Sequence, residues 1–431
     1  FNNVSATTGT QGQPVCGIPC TFDVWYTWTA PTTDTYLVST CGGASIDSLI
    51  GVYDGSACPT APALGCNDDS CGLQSTAAFS AVQGSAYVIQ LGTYAGSPGG
   101  TGTFTIAVAV PYSTTTGPDV IVGDINGVQN YTGANGLDAI SLGTTSCNIG
   151  TVWVEWIAGN NHHPAIGGTL YRYHVVSGAG RFEQIGLSWL KHGFFALSQT
   201  LCCSTCIGTD GTHLGVGCSD PYTAGRNGTQ SGLGPRYQVD AHTGIFAYPP
   251  ANPGFSGQTA RRCEFQASDV DTSPGARYFG ECQYVCPDDA AAGNNNNNAS
   301  WRELTASGSN PNYAFQLSGP TTREQGAIQA WTSCESGVTV VDTQVSGEGL
   351  FHIAYKTTSL GSGQYHYEIA VHNLNSNRSG GSFSIPIPVG VNVTNIGFHD
   401  VDYRNGDGIG NVNYAGTDWV GTLSGGALTW A

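Results

Sequence analysis

The chain has 431 residues, of which 10% are charged and 62 are glycine; 13 basic side chains stand against 30 acidic ones, a formal charge of −17. Its hydrophobic content of 40% supplies enough apolar surface for folded cores and excludes wholesale disorder. The only two lysines, Lys191 and Lys356, leave no basic footprint for nucleic acid, and no run of 18 apolar residues offers a membrane-spanning helix.

Fifteen cysteines without compact metal-finger spacing point to an oxidising compartment and a secreted, extracellular protein. The opening at Phe1, with no charged and apolar leader after it, reads as a mature chain whose export signal has been removed. Six cysteines fall in the first 112 residues: Cys16, Cys20, Cys41, Cys58, Cys66 and Cys71. That even count predicts three bridges internal to this segment. The remaining nine leave at least one thiol free or paired with another chain.

The predicted fold class is mainly β, in three parts. Residues 1–112 read as short alternating strands, among them Phe22–Trp28, Thr35–Ser39, Ala86–Leu91 and Thr103–Val108, punctuated by Gly, Pro, Asn and Asp. This pattern predicts an antiparallel sandwich. The polar run Ser113–Pro118 makes the linker that follows.

Within this first part the run Asp23-Val24-Trp25-Tyr26-Thr27-Trp28 is followed by Asp34-Thr35-Tyr36 and then by Ile46–Asp54. Cys66-Asn67-Asp68-Asp69 and a closing Thr103-Phe104-Thr105-Ile106 complete the order. It is similar to the bacterial pre-peptidase C-terminal type of β-sandwich. The resemblance covers about a quarter of the chain and implies an accessory module for adhesion or substrate association. That module usually trails an enzyme, whereas here it leads. Residues 119–431 resemble no family of known activity.

Residues 119–333 predict a β-rich, disulfide-bearing central domain with one helix. The helix is expected over 181–198, where Ile185, Trp189, Leu190, Phe194 and Leu197 recur at three- and four-residue spacing, the stripe of an amphipathic helix. Cys202, Cys203, Cys206 and Cys218 have zinc-like spacing, but in an exported chain they read as disulfide partners.

Residues 334–431 return to period two and predict a C-terminal sandwich, able to share a core with 119–333. Leu350–Lys356 and Tyr365–Asn373 form a hairpin joined by residues 357–363. Ser382–Ile385 and Val391–Ile396 continue the alternation. The odd positions of the hairpin are apolar. The even positions then place His352, His366, Glu368 and His372 on the opposite face. Three imidazoles and a carboxylate are ligand types for zinc, copper or non-haem iron; an ordinary solvated polar face is the alternative. Asp400, Asp402, Asn405 and Asp407 offer hard oxygen ligands for calcium, as do Asp54, Asp68 and Asp69 in the first part. Asx-turn chemistry explains either group equally.

The composition favours a secreted structural or adhesive protein, a self-assembling surface or fibre component stabilised by disulfides and calcium. Few charges and many Gly, Asn, Ser, Thr and Tyr suit extensive contacts, and calcium can neutralise the acidic excess. A secreted metal-dependent enzyme acting on an extracellular polymer is the second reading, its transition metal held by the histidine face and its N-terminal module serving as anchor. A non-catalytic carbohydrate binder is the third. Expected partners are further copies of the chain or an extracellular polysaccharide.

Overall fold

Alternating apolar residues bury one face of a strand, so two sheets that each carry such a face close on one another. The computed structural model describes residues 1–70, 72–109, 115–203, 206–251, 257–273, 275–401 and 417–431. The described chain is mainly β, with helices confined to short segments such as Pro287–Ala292. No helix among the described residues is long and apolar enough to cross a membrane.

The chain divides into two units. The first comprises Phe1–Asp119, Cys147–Trp156 and Phe195–Asp220. Its strands are β1 (Cys20–Thr29), β2 (Asp34–Ser39), β3 (Ser48–Asp54), β4 (Gly65–Asn67), β5 (Thr76–Ala81), β6 (Ala86–Tyr94) and β7 (Thr105–Val108). They form an antiparallel sandwich of two sheets, ordered β1-β6-β3-β4 and β5-β2-β7. Tyr36, Val38, Ile50, Val52, Phe79 and Ile89 fill the space between them, and the Trp28 ring meets Tyr36 edge-on at 4.6 Å. The unit runs past residue 112: Thr115 bridges to Gly150, and the Gly117 amide donates to Thr151 Oγ1 at 3.0 Å.

Disulfides join Cys16 to Cys66, Cys147 to Cys202 and Cys206 to Cys218, and Cys41 is also bonded. Of the zinc-spaced cysteines, Cys202, Cys206 and Cys218 are thus disulfide partners. The expected three bridges within the first 112 residues are not all made, because Cys20 and Cys58 are thiols. Cys20 packs with Val15 and Leu49 as a small hydrophobe. Burial, then Asp23 and Asp68, push its thiol up to about 12.

The second unit holds Val120–Ser146, Ile157–Phe194 and Pro221–Ala431. Its large sheet includes β8 (Ala165–Val176), β9 (Ala179–Leu187) and β10 (Arg277–Val285). Its order runs Leu137–Asn148, Cys263–Gln266, β9, β8, β10, Ala299–Ser309, Asn312–Thr322. The sheet curls toward closure: Phe265, near one end of that order, meets Phe315, at the other, edge-on at 5.6 Å.

The helix expected over 181–198 is instead β9 followed by a short strand at Leu190–Lys191. The register of β9 against β8 slips between Leu170 and Tyr171, which pair with Gly186 and Gln184. Of the expected stripe, Ile185 is the extra residue of this bulge, and Trp189 and Phe194 lie in coil either side of Leu190–Lys191, so the spacing arises from irregular backbone rather than helical turns. Gly193, at φ 69°, then turns the chain away.

Beyond Cys334 the unit adds a three-stranded sheet of β11 (Thr339–Val345), β12 (Gly349–Gly361) and β13 (Gln364–Asn373), ordered β11-β12-β13. A second small sheet joins Phe383–Pro386, Ala427–Trp430 and Gly421–Ser424. Val391–Ile396, expected as a strand, is coil; Pro386 and Pro388 precede it, and proline cannot donate to a ladder.

Candidate functional site

The β12–β13 hairpin turns on two residues, Ser362 and Gly363, both at positive φ (52° and 76°), the geometry that matches strand twist. Both strands run further than the sequence indicates, and the expected seven-residue loop is largely ladder. β11 pairs with the other side of β12.

The alternative of a solvated polar face is not what forms: the even face is the covered one. Ala354 is fully buried and packs, with Ala370, against Tyr171, Phe182, Ile328 and Trp331. The even positions of β12 and β13 therefore face the core, and His352, Glu368 and His372 go inward with them, whereas Asp342 on the edge strand stays 61% exposed. Asp342, His352 and His372 lie in one cross-strand row. Asp342 Oδ1 is 2.6 Å from His352 Nδ1, and the His352 and His372 rings stack with centroids 5.6 Å apart.

His372 Nε2 reaches Glu281 Oε2 at 3.6 Å. Glu281 also accepts from the Ala327 amide at 2.6 Å and the Tyr171 hydroxyl at 3.1 Å. Burial works to raise its carboxyl, but His372, then the Ala327 and Tyr171 donors, hold it below the usual range. Further along β13, His366 Nε2 contacts Glu368 Oε1 at 2.9 Å, and Arg181 of β9 donates to the same carboxylate at 3.2 Å.

The register thus sorts the four expected transition-metal ligands into two pairs. His352 stands across from His372, whereas His366 stands across from Thr358. His366 and His372 are six residues apart on one strand, about 20 Å, which ligand bonds of about 2.0–2.2 Å do not span. Asp342 and Glu281, the carboxylates that contact His352 and His372, escape sequence reading because they come from other strands.

The odd positions face outward. Val341, Ile353 and Val371 form one cross-strand row, and Tyr355, Tyr365 and Tyr367 lie alongside it. Tyr367 is 58% and Val371 50% exposed. From Thr339 to Val345, Phe351 to Ser359 and Tyr365 to Asn373, no outward position carries an ionisable acid or base other than tyrosine. A large apolar patch open to solvent marks a contact surface.

The first unit holds a separate cluster. Asp47, Asp68 and Asp69 each bring a carboxylate oxygen within 4.8 Å of the others. Asp54, expected here, lies elsewhere: it ends β3, while Asp47 precedes its start, about 20 Å away. β4 runs antiparallel to β3, with Ile50 opposite Asn67, which returns Asp68 and Asp69 to the Asp47 end. Ser97 Oγ donates to Asp47 Oδ2 at 3.0 Å. Burial, then Asp69 and Asp47, push the Asp68 carboxyl up to about 6, and burial followed by Asp47 raises that of Asp69. Of the other expected calcium ligands, Asp400 lies in coil, and Asp402, Asn405 and Asp407 lie outside the described residues.

No protein-family model, curated protein or solved structure matches the chain.

Proposed function

We propose that the protein is an extracellular structural or adhesive component that works by surface contact, stiffened by disulfides and by calcium at Asp47, Asp68 and Asp69. The observation that carries this reading is the outer face of β11–β12–β13, where Val341, Val345, Val371, Tyr355, Tyr365 and Tyr367 stand in solvent without a charge beside them. Aromatic and branched side chains on a flat, uncharged surface gain by leaving water together. The disulfides are compatible with an oxidising exterior. The first unit then acts as an accessory module of the pre-peptidase C-terminal type, and its carboxylate cluster supplies hard oxygen ligands of the kind calcium takes. The test is contact itself. Val371→Glu and Tyr367→Glu place charge on the outer face and should abolish self-association, or retention on extracellular polysaccharide, while melting as the wild type does. Undiminished contact by both variants would refute the reading.

A further inference from the structure

The contact reading leaves the partner open between another copy and a polysaccharide, and the chemistry of the face decides between them. The whole chain carries −17, so two copies repel wherever their acidic surfaces approach. The outer face of β11–β12–β13 is different. The acids and bases of these strands other than tyrosine are absent from the outward positions: Lys356 and Glu368 are partly covered on the inner side, and Asp342, though 61% exposed, lies on the edge strand against His352. A partner with the same acidic excess therefore meets no opposing charge here.

A polysaccharide needs more than this face provides. Sugar recognition relies on a few placed polar groups beside aromatic rings in a concave site. The outward polar groups are short hydroxyls such as Thr339, Thr343, Thr357 and Ser359, on a surface whose prominent side chains are apolar. No lysine or arginine is present to draw an anionic polymer or lipid.

Size fits a second copy. Three strands at about 4.8 Å spacing and about ten residues at 3.3 Å rise give a face of roughly 14 by 33 Å, some 450 Å² before side-chain relief. Two such faces bury about 900 Å² together, less than the roughly 1,200 Å² of a stable interface and within the range of weak, transient contacts. A face packed on its own copy is isologous, so each tyrosine contact is made twice, and two sheets pack aligned at about 10 Å.

We infer that the outer face of β11–β12–β13 is the interface with a second copy of this chain, two sheets packing face to face into a reversible dimer. The inference rests on the contact reading above and names its partner.

Sedimentation equilibrium of the full chain, from 1 to 500 μM, tests it. The wild type should pass from monomer to dimer within that range, and raising salt from 20 to 300 mM should tighten association severalfold as repulsion is screened. Val371→Glu and Tyr367→Glu should each weaken dimerisation at least tenfold. Val175→Glu, at an exposed site on β8, should leave it unchanged and controls for added charge. Near-ultraviolet circular dichroism checks that each variant is folded. A wild type monomeric throughout, or a dimer indifferent to both outer-face variants, overturns the inference. If the monomeric wild type is retained on an insoluble polysaccharide and both variants are not, the second-copy inference fails and the contact reading survives. If it is neither dimeric nor retained, both fail.

Discussion

Ala354 and Tyr355 are neighbours on β12 that point opposite ways, and the alanine is fully buried while the tyrosine is 40% exposed. The small residue is inward because the aromatic rings of Phe182, Phe279 and Trp331 already fill the space beneath the sheet. The contact of His372 with Glu281 and the ion pair of Glu368 with Arg181 then hold the sheet down. Its bulky side chains are left outside.

The buried end of that polar network should matter more than its surface contacts. Glu281→Ala removes a fully enclosed carboxylate and leaves His372 and the Ala327 amide without their acceptor. A loss of roughly 3–5 kcal/mol is expected from breaking such a pair. Arg378→Ala, at an exposed pair with Glu348, should leave the midpoint nearly unchanged. Urea midpoints compare the two, and equal losses would contradict the assignment.

Glu183 of β9 should confer acid sensitivity. Burial works to raise its carboxyl, but His174 and Arg172 hold it at about 2. A depressed folded pKa stabilises above the unfolded value of about 4.3 and loses that stabilisation as pH falls through 2. The difference in stability between wild type and Glu183→Gln should be about 3 kcal/mol near pH 6 and should shrink steadily from pH 4.5 to 2. A difference independent of pH would refute it.

The Asp47–Asp68–Asp69 cluster predicts the opposite slope. Asp68 is raised to about 6 in the folded chain, so without a cation its contribution is most favourable below about 4 and is lost as pH rises through 6. Calcium should reverse that loss by binding the ionised cluster. Calorimetry should show a calcium-dependent rise in melting temperature that is larger at pH 7.5 than at pH 5 and is reduced by Asp68→Asn. Melting unaffected by calcium at both pH values would count against the site.

Thiol labelling should separate surface from core. Cys58 is exposed, whereas Cys263 and Cys282 are buried. Burial pushes the Cys263 thiol up to about 12 and that of Cys282 well above the usual range. A maleimide should modify Cys58 in the native protein and reach the other two only after unfolding, because the thiolate is the reactive species. Rapid native labelling of Cys263 would contradict the fold.

Period two was enough to read the N-terminal sandwich and the β12–β13 hairpin, since alternation fixes which residues share a face. It does not say which face is inward. Here the apolar side chains of the hairpin point to solvent, and only the central sheet's ring cluster and the Glu281 and Arg181 charges settle the matter. The stripe from Ile185 to Phe194 misleads for a related reason: a bulge, then coil either side of a two-residue strand, buries apolar residues at irregular spacing. Asp47 replaces Asp54 because antiparallel pairing of β3 with β4 decides which end of the strand Asp68 meets. In each case the missing information is a strand partner distant in sequence.

Hydroxyl-radical footprinting at low and high protein concentration tests the outward, self-associating face most directly. Tyr365, Tyr367 and Val371 should be oxidised readily in dilute protein and protected several-fold in concentrated protein, while His352 stays protected in both. Strong labelling of His352 with protection of Tyr367 and Val371 in dilute protein would mean the sheet faces the other way, and the account would be wrong.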